Sequence, residues 1–214
     1  MTASLQNGFQ KDLVVLVADK NMAFAVKGIL SRPESLAIRP VSAEVIVHPE
    51  RDPGCRVKAQ QMLAVFRNMC AHAIVIFDKK GSGAEQSSRE SLEGEVRAGL
   101  ERAGWRGRSA AVVIGPELEA WVWSDSPHVE SCLGWAGRRP GLRDSLQQMG
   151  LLIEGQAKPQ HPKEAMEEAL RLVHKPRSSS IYLELAERVS LERCQDPSFV
   201  RFREILEGWF GLRD

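Results

Sequence analysis

Three observations predict an α/β fold built on a mostly parallel, three-layer sheet: two unbroken apolar runs that each stop on an aspartate, helical apolar spacing between them, and a third apolar run that continues the alternation. The runs are Leu13 to Ala18 before Asp19-Lys20-Asn21, Ala73 to Phe77 before Asp78-Lys79-Lys80-Gly81-Ser82-Gly83, and Ser109 to Ile114 before Gly115-Pro116-Glu117. A strand covered on both faces reads as continuous Val and Ile. Helical crossovers between such strands make them parallel.

In chain order, Asn21 to Leu30 carries apolar residues at helical spacing and ends near Ser31-Arg32-Pro33, so a helix follows the first strand. Ile38 to Val47 alternates, with Val41, Val45 and Val47 on one side, as an edge or half-covered strand does. His48 to Cys55 is dense in turn formers and predicts a loop, with His48 near Asp52 and Cys55. Lys58 to Met69 reads as a second helix, and Leu92, Val96 and Leu100 space out a third that ends near Gly104. From Ser126-Pro127 to Gln160 the chain is rich in Gly, Pro and polar residues, which predicts irregular structure with short helices. Pro162 is placed to open a helix striped by Ala165, Met166, Ala169, Leu170 and Val173. Asp196-Pro197 is a cap followed by a first-turn proline, and it opens a helix with Phe199, Phe202, Leu206 and Trp209 on one side.

The 214 residues are 43% hydrophobic and 27% charged, which is enough to bury a full core. A formal net charge of +1 excludes bulk basicity as a means of holding nucleic acid, so any such contact needs a local patch. The four cysteines are widely spaced, against a zinc knuckle or a small disulfide framework and in keeping with reduced thiols. No signal-like or membrane-length apolar stretch occurs, so the expected location is cytoplasmic, with no membrane partner. None of the five histidines forms an i, i+4 zinc pair, and no G-x-S-x-G elbow supports a serine hydrolase.

Acids at strand ends are the candidate chemistry. Asp19, Asp78 and the pair Glu117 and Glu119 fall at or just beyond the carboxyl ends of strands, where open α/β sheets bind ligands. Each also has an ordinary reading as a turn former or helix cap. Mg²⁺ needs only one or two such carboxylates plus a substrate phosphate. It neutralises phosphate charge and acidifies a bound water. Trp121 and Trp123 either pack a helix on the sheet or stack a base. Lys79 and Lys80 with Gly81-Ser82-Gly83 offer cations and amides to a phosphate without the P-loop spacing. His174-Lys175-Pro176-Arg177 is a small basic patch, explained equally by a solvated loop.

The segment Leu16 to Asn21 with Phe24, the strand ending Ile76-Phe77-Asp78, the stretch Glu117 to Asp125, and the elements Pro162-Lys163-Glu164-Ala165 and Asp196-Pro197-Ser198-Phe199 resemble the Toprim-related proteins of prokaryotic defence islands. The likeness is in particular to a small component of methylation-associated anti-phage defence systems. Glu119-x-Trp121-x-x-x-Asp125 is its most specific part. The resemblance implies a Toprim-like (Rossmannoid) domain over 10–125 and a mostly helical C-terminal region over 126–214 packed on it. Toprim domains hold Mg²⁺ through a Glu after the first strand and a D-x-D pair after a later one. Here Asp19 is the nearest acid to the first position, and Lys80 replaces the second acid of the D-x-D pair.

The expectation is therefore an Mg²⁺- or Mn²⁺-dependent nuclease or phosphodiesterase in anti-phage defence. Asp19, Asp78 and Glu119 would be metal ligands, and Asp78, Glu119 and Lys80 would carry the chemistry, with Glu119 also able to act as base. Lys20, Lys79, Lys175 and Arg177 would touch nucleic acid. The alternative is a noncatalytic nucleotide- or partner-binding subunit working with other defence-system proteins.

Overall fold

The computed structural model describes residues 8–123 and 126–212. Strands β1 (Lys11–Val17), β2 (Ala43–Val47), β3 (Cys70–Asp78) and β4 (Ser109–Ile114) form one sheet in the order β2-β1-β3-β4, parallel at every pairing. The continuous apolar runs of β1 and β3 occupy the two interior positions, and Leu13 to Val17 and Ala73 to Phe77 are wholly buried. The alternating segment is the edge strand β2. It begins at Ala43, later than its alternation suggests, and Ile38 instead makes a lone antiparallel bridge to Gly211.

Helix α1 (Lys20–Leu30) lies against β1 and β2, whereas α2 (Arg51–Leu63) and α3 (Arg89–Leu100) pack on each other and on β1, β3 and β4. Right-handed crossovers put a helix stepping one way and helices stepping the other on opposite faces. The order therefore reverses between β1, which leads outward to β2, and β3, which leads outward to β4. A reversal of this kind leaves a crevice beyond the carboxyl ends of the two central strands.

The loop expected over His48 to Cys55 is shorter than its composition suggests, because α2 already starts at Arg51. Pro53 sits in the first turn, where its missing N–H removes no helical bond. Gly54 is required: a Cβ there would stand 2.1 Å from His48 Nδ1. The helix correspondingly ends at Leu63, and a 3₁₀ turn, Ala64–Phe66, completes the segment to β3. Beyond α3 the backbone widens over Glu101–Trp105 and turns at Gly104, whose φ of 91° suits glycine.

The remaining helices are α4 (Glu119–Val122), α5 (Pro127–Leu133), α6 (Leu142–Gln148), α7 (Pro162–Leu172), α8 (Ser179–Arg188) and α9 (Pro197–Phe210). Helix α8 covers the outer side of α1, and α9 lies on β4. Phe199, Phe202 and Leu206 are buried as the stripe predicts. Trp121 stacks on Phe202 at 5.3 Å between centroids and donates its Nε1–H to Ser198 Oγ at 2.7 Å. Trp121 and Trp123 are 2% exposed, so they pack the core and present no face for a base. Asp125, the last residue of the Glu119-x-Trp121-x-x-x-Asp125 segment, lies outside the described residues. No helix of the described residues is long and apolar enough to cross a membrane.

Candidate functional site

Asp19 immediately follows β1 and caps α1, its Oδ1 accepting from the Met22 N–H at 2.9 Å. Asp78 ends β3. Asp52, in the first turn of α2 beyond β2, reaches across so that its Oδ1 accepts from the Asp78 backbone N–H at 2.8 Å. Burial raises the Asp78 carboxyl well above the usual carboxylate range, and Asp52, Glu119, Asp19 and Glu117 push it further. Burial also raises Asp52, against the hydrogen bond from Asp78, with Asp19 adding to the rise. Asp78 Oδ1 is buried and has no hydrogen-bond partner.

The sheet thus brings together the acids that the sequence places at strand ends, and it adds Asp52. They are not equivalent. Glu119 is 2% exposed, and its Oε1 accepts from the Tyr182 hydroxyl at 2.6 Å and from Arg177 Nη2 at 2.7 Å. Burial and the Glu119 carboxylate push the Tyr182 phenol up, so it stays a donor. Glu117 Oε1 accepts from Lys163 Nζ at 3.1 Å, and Lys80 Nζ lies 3.5 Å away. Burial opposes the Lys163 charge, but Glu117 outweighs it and holds the ammonium above its ordinary pKa. Helix α7 therefore delivers Lys163 to Glu117, and the connection between α7 and α8 delivers Arg177 to Glu119, while Asp19, Asp52 and Asp78 have no ion-pair partner among the described residues.

Beside the acids opens a cleft of about 480 Å³ lined by Ala18, Asp19, Lys20, Asn21, Val47, His48, Pro49, Arg51, Lys163 and Arg177. Four of these are cations and one is a carboxylate. His48 accepts the Glu50 N–H on Nδ1 at 3.0 Å, and burial lowers its pKa, so it lines the wall as a neutral ring. Ser179 Oγ donates to Asn21 Oδ1 at 2.8 Å and ties the start of α8 to the start of α1 at the cleft rim.

The other expected contacts fall as follows. Lys20 lines the cleft, and the side chains of Lys79 and Lys80 stand beyond β3 with their backbone N–H groups donating to the Ile114 and Pro116 carbonyls. Lys80 is largely exposed and leans on Glu117. The Gly81 and Gly83 amides already donate to Glu85 Oε1, so this loop has no free amide cradle for a phosphate. Lys175 is turned inward, its Nζ donating to the Cys132 carbonyl at 2.6 Å at the end of α5. Arg177 is bound by Glu119, Glu167 and Tyr182 at the cleft wall and forms no exposed basic patch with Lys175. The physical reason is the same for both: a long basic side chain near buried oxygens is stabilised more by charge-assisted hydrogen bonds than by water.

Asp52, Arg51, Lys163 and Tyr182 are the site residues that sequence reading did not select. The rule that selected Asp19 and Asp78, an acid just past a parallel strand, also reaches Asp52 when applied to the edge strand. Lys163 and Tyr182 carry no sequence signal of their own, since they arrive from helices far along the chain, and Arg177, expected in an exposed basic patch, is instead turned to Glu119.

Among the described residues no three His, Cys, Asp or Glu side chains are grouped to hold a metal ion between them. A closed protein cage is thereby excluded for those residues, while the mode in which Mg²⁺ takes one or two carboxylates and keeps its waters fits the donors present. The orphaned Asp78 oxygen is such a donor. No family model, curated protein or solved structure matches the chain.

Proposed function

We propose that the chain is a divalent-metal-dependent, Toprim-like phosphodiesterase acting on nucleic acid in anti-phage defence. Mg²⁺ or Mn²⁺ would be held through Asp78 with Asp52 or Asp19. The observation that carries this reading is the buried Oδ1 of Asp78, which lacks any donor while four other carboxylates crowd it. A buried acceptor left unpaired costs about 1–3 kcal/mol. A hydrated divalent cation removes both that cost and the repulsion among the acids.

When bound, the metal supplies charge neutralisation on phosphate oxygens and an acidified water. The chain's own residues do the rest. Lys20 and Arg51 draw the phosphate into the cleft, and Lys80 meets it from the β3 side. Glu119, taken up by Tyr182 and Arg177, positions Arg177 at the wall instead of serving as a free base. The resemblance to Toprim-related defence proteins supports the substrate class, and the position of the acids at the strand-order reversal supports the site.

The test is cleavage of single- and double-stranded DNA and RNA by the purified chain with Mg²⁺, Mn²⁺ or EDTA. Expected is metal-dependent cleavage, reduced at least ~100-fold in Asp78→Asn. Undiminished cleavage in that variant, or cleavage in EDTA, overturns the assignment.

One observation favours a second reading, a noncatalytic nucleotide- or partner-binding subunit: Lys163 and Arg177 already neutralise Glu117 and Glu119. Calorimetry that detects no Mg²⁺ or Mn²⁺ binding, together with stable co-purification with another defence protein, would select it.

A further inference from the structure

We propose that the amino-terminal end of the sheet carries a separate contact for single-stranded nucleic acid, in which the arginine cluster Arg67, Arg102, Arg106 and Arg108 holds the phosphate backbone. The proposal rests on reading the substrate as nucleic acid and adds a docking surface outside the cleft.

A chain of formal net charge +1 can hold a polyanion only through a local concentration of cations. Lys175 and Arg177 do not supply one, because both are turned to protein oxygens. The turn between α3 and β4 does. Arg108 lies at its centre, with Nη1 donating to the Cys70 and Ala71 carbonyls at 2.9 and 3.3 Å and Nη2 to the Arg67 and Gly104 carbonyls at 2.8 and 3.4 Å. Its guanidinium also lies over the Trp105 ring at 4.3 Å and the Phe9 ring at 5.3 Å. These contacts fix the group without neutralising it. The Arg67 side chain runs along Gly104, where a Cβ would stand 2.8 Å from its Cδ, so a second guanidinium joins the first. Arg102 and Arg106 flank Gly104 two residues away on either side, and both are exposed.

No acid answers these charges. None of the four arginines has an ion-pair partner among the described residues. Glu101, their neighbour in the chain, is paired with Arg97 at 3.8 Å, while Glu44 and Asp12 at the same end of the sheet are held by Lys11 and Arg39. Burial, and then the Arg67 guanidinium, hold Arg108 below its ordinary pKa, and no carboxylate offsets them. Four unneutralised cations at one corner leave the rest of a +1 chain net negative. The corner is also remote from the acids: β3 runs from Cys70, beside Arg108, to Asp78, a distance of roughly 25 Å.

The residue types favour nucleic acid among polyanions. Guanidinium forks match phosphate oxygens two at a time. Trp209, half-buried and stacked on His72 at 4.3 Å, lines a hollow with Ser109, the residue after Arg108. A ring beside a cationic strip is the pairing that single strands use, with backbone on the charges and a base on the ring.

The experiment follows binding of a labelled single-stranded oligonucleotide to the full chain by fluorescence anisotropy in EDTA, over a series of salt concentrations. The triple variant Arg67→Gln/Arg102→Gln/Arg106→Gln should bind about tenfold more weakly, with the slope of log K against log salt reduced by about 2. A control with the same loss of charge, Arg138→Gln/Arg139→Gln/Arg193→Gln, replaces exposed arginines elsewhere and should leave the slope unchanged. If the triple variant unfolds, Arg106→Glu alone, a change at an exposed turn, should still weaken binding severalfold. Equal losses in the two triple variants, or none in either, overturn the proposal. Displacement of the oligonucleotide by poly-glutamate at equal charge concentration, or tighter binding to anionic vesicles, assigns the cluster to another partner and overturns it as well. Because no cleavage is read, a chain that binds through the arginines and never cuts loses only the catalytic reading. One that cuts with Mg²⁺ and binds equally well without the three arginines loses this proposal alone.

Discussion

Asp78 and His72 are two side chains of the same strand whose burial sets opposite pH behaviour. For Asp78 the folded pKa lies well above the unfolded value, so the folded chain binds more protons than the unfolded one above the ordinary carboxylate range. Stability of the metal-free protein should therefore fall as pH rises through that window. Asp78→Asn is expected to raise the metal-free Tm by a few degrees at pH 7–8, on the order expected for removing one poorly compensated buried charge. Saturating Mg²⁺ should raise the wild-type Tm and leave that of the variant unmoved, as differential scanning fluorimetry would read. His72 shows the reverse. Its ring is stacked on Trp209 at 4.3 Å with Nδ1 buried and unpartnered, and burial, aided by Arg108 and Arg39 against Asp12, lowers its pKa to about 4. The unfolded chain takes up that proton first, so stability is full above pH ~6.5 and is lost as pH falls toward 4. The loss is on the order of 1–2 kcal/mol after allowing for partial solvent screening. His72→Phe should flatten the Tm-versus-pH curve between pH 4 and 6.5 while keeping the ring contact.

At the scale of elements, helix starts were the most legible feature and one of the most consequential. Asp196 accepts from the Ser198 and Phe199 N–H groups, as the Asp-Pro signal predicts, and Asp196→Ala should cost about 1 kcal/mol in urea unfolding. The start of α2 was misplaced because Pro53 and Gly54 are turn formers by composition, yet first-turn placement satisfies one and packing on His48 demands the other. Contact between α1 and α8 depends on Gly28, where a Cβ would meet Ala186 Cβ at 2.8 Å and the Leu183 carbonyl at 2.9 Å. Gly28→Val is expected to push α8 away at a cost of about 1–3 kcal/mol. That displacement should loosen Tyr182 and Arg177 from Glu119 and lower metal-dependent cleavage more than the loss of stability explains.

Across the whole molecule one continuous apolar core joins the sheet to the C-terminal helices, with Trp121 packed on Phe199 and Phe202 of α9 and Tyr182 on α8 reaching Glu119. Thermal unfolding should consequently follow a single transition by far-UV and near-UV circular dichroism alike. A chain cut after residue 125 should lose cooperative folding, because the cut uncovers Trp121, Trp123 and the face of α1.

Local patterning determined the α/β class, the parallel interior strands, the edge position of β2 and the capped helices, since each depends on periodicity and turn chemistry within a few residues. The placing of Asp19 and Asp78 at one end of the sheet follows from the same rule. Tertiary structure alone decided which acids stay unpaired and which are claimed by cations. Lys163 and Arg177 travel 46 and 58 residues from Glu117 and Glu119, and no spacing along the chain encodes that meeting. Charge compensation is a property of distance in space, so the engagement of Lys163 and Arg177 by Glu117 and Glu119 is decided by the fold alone.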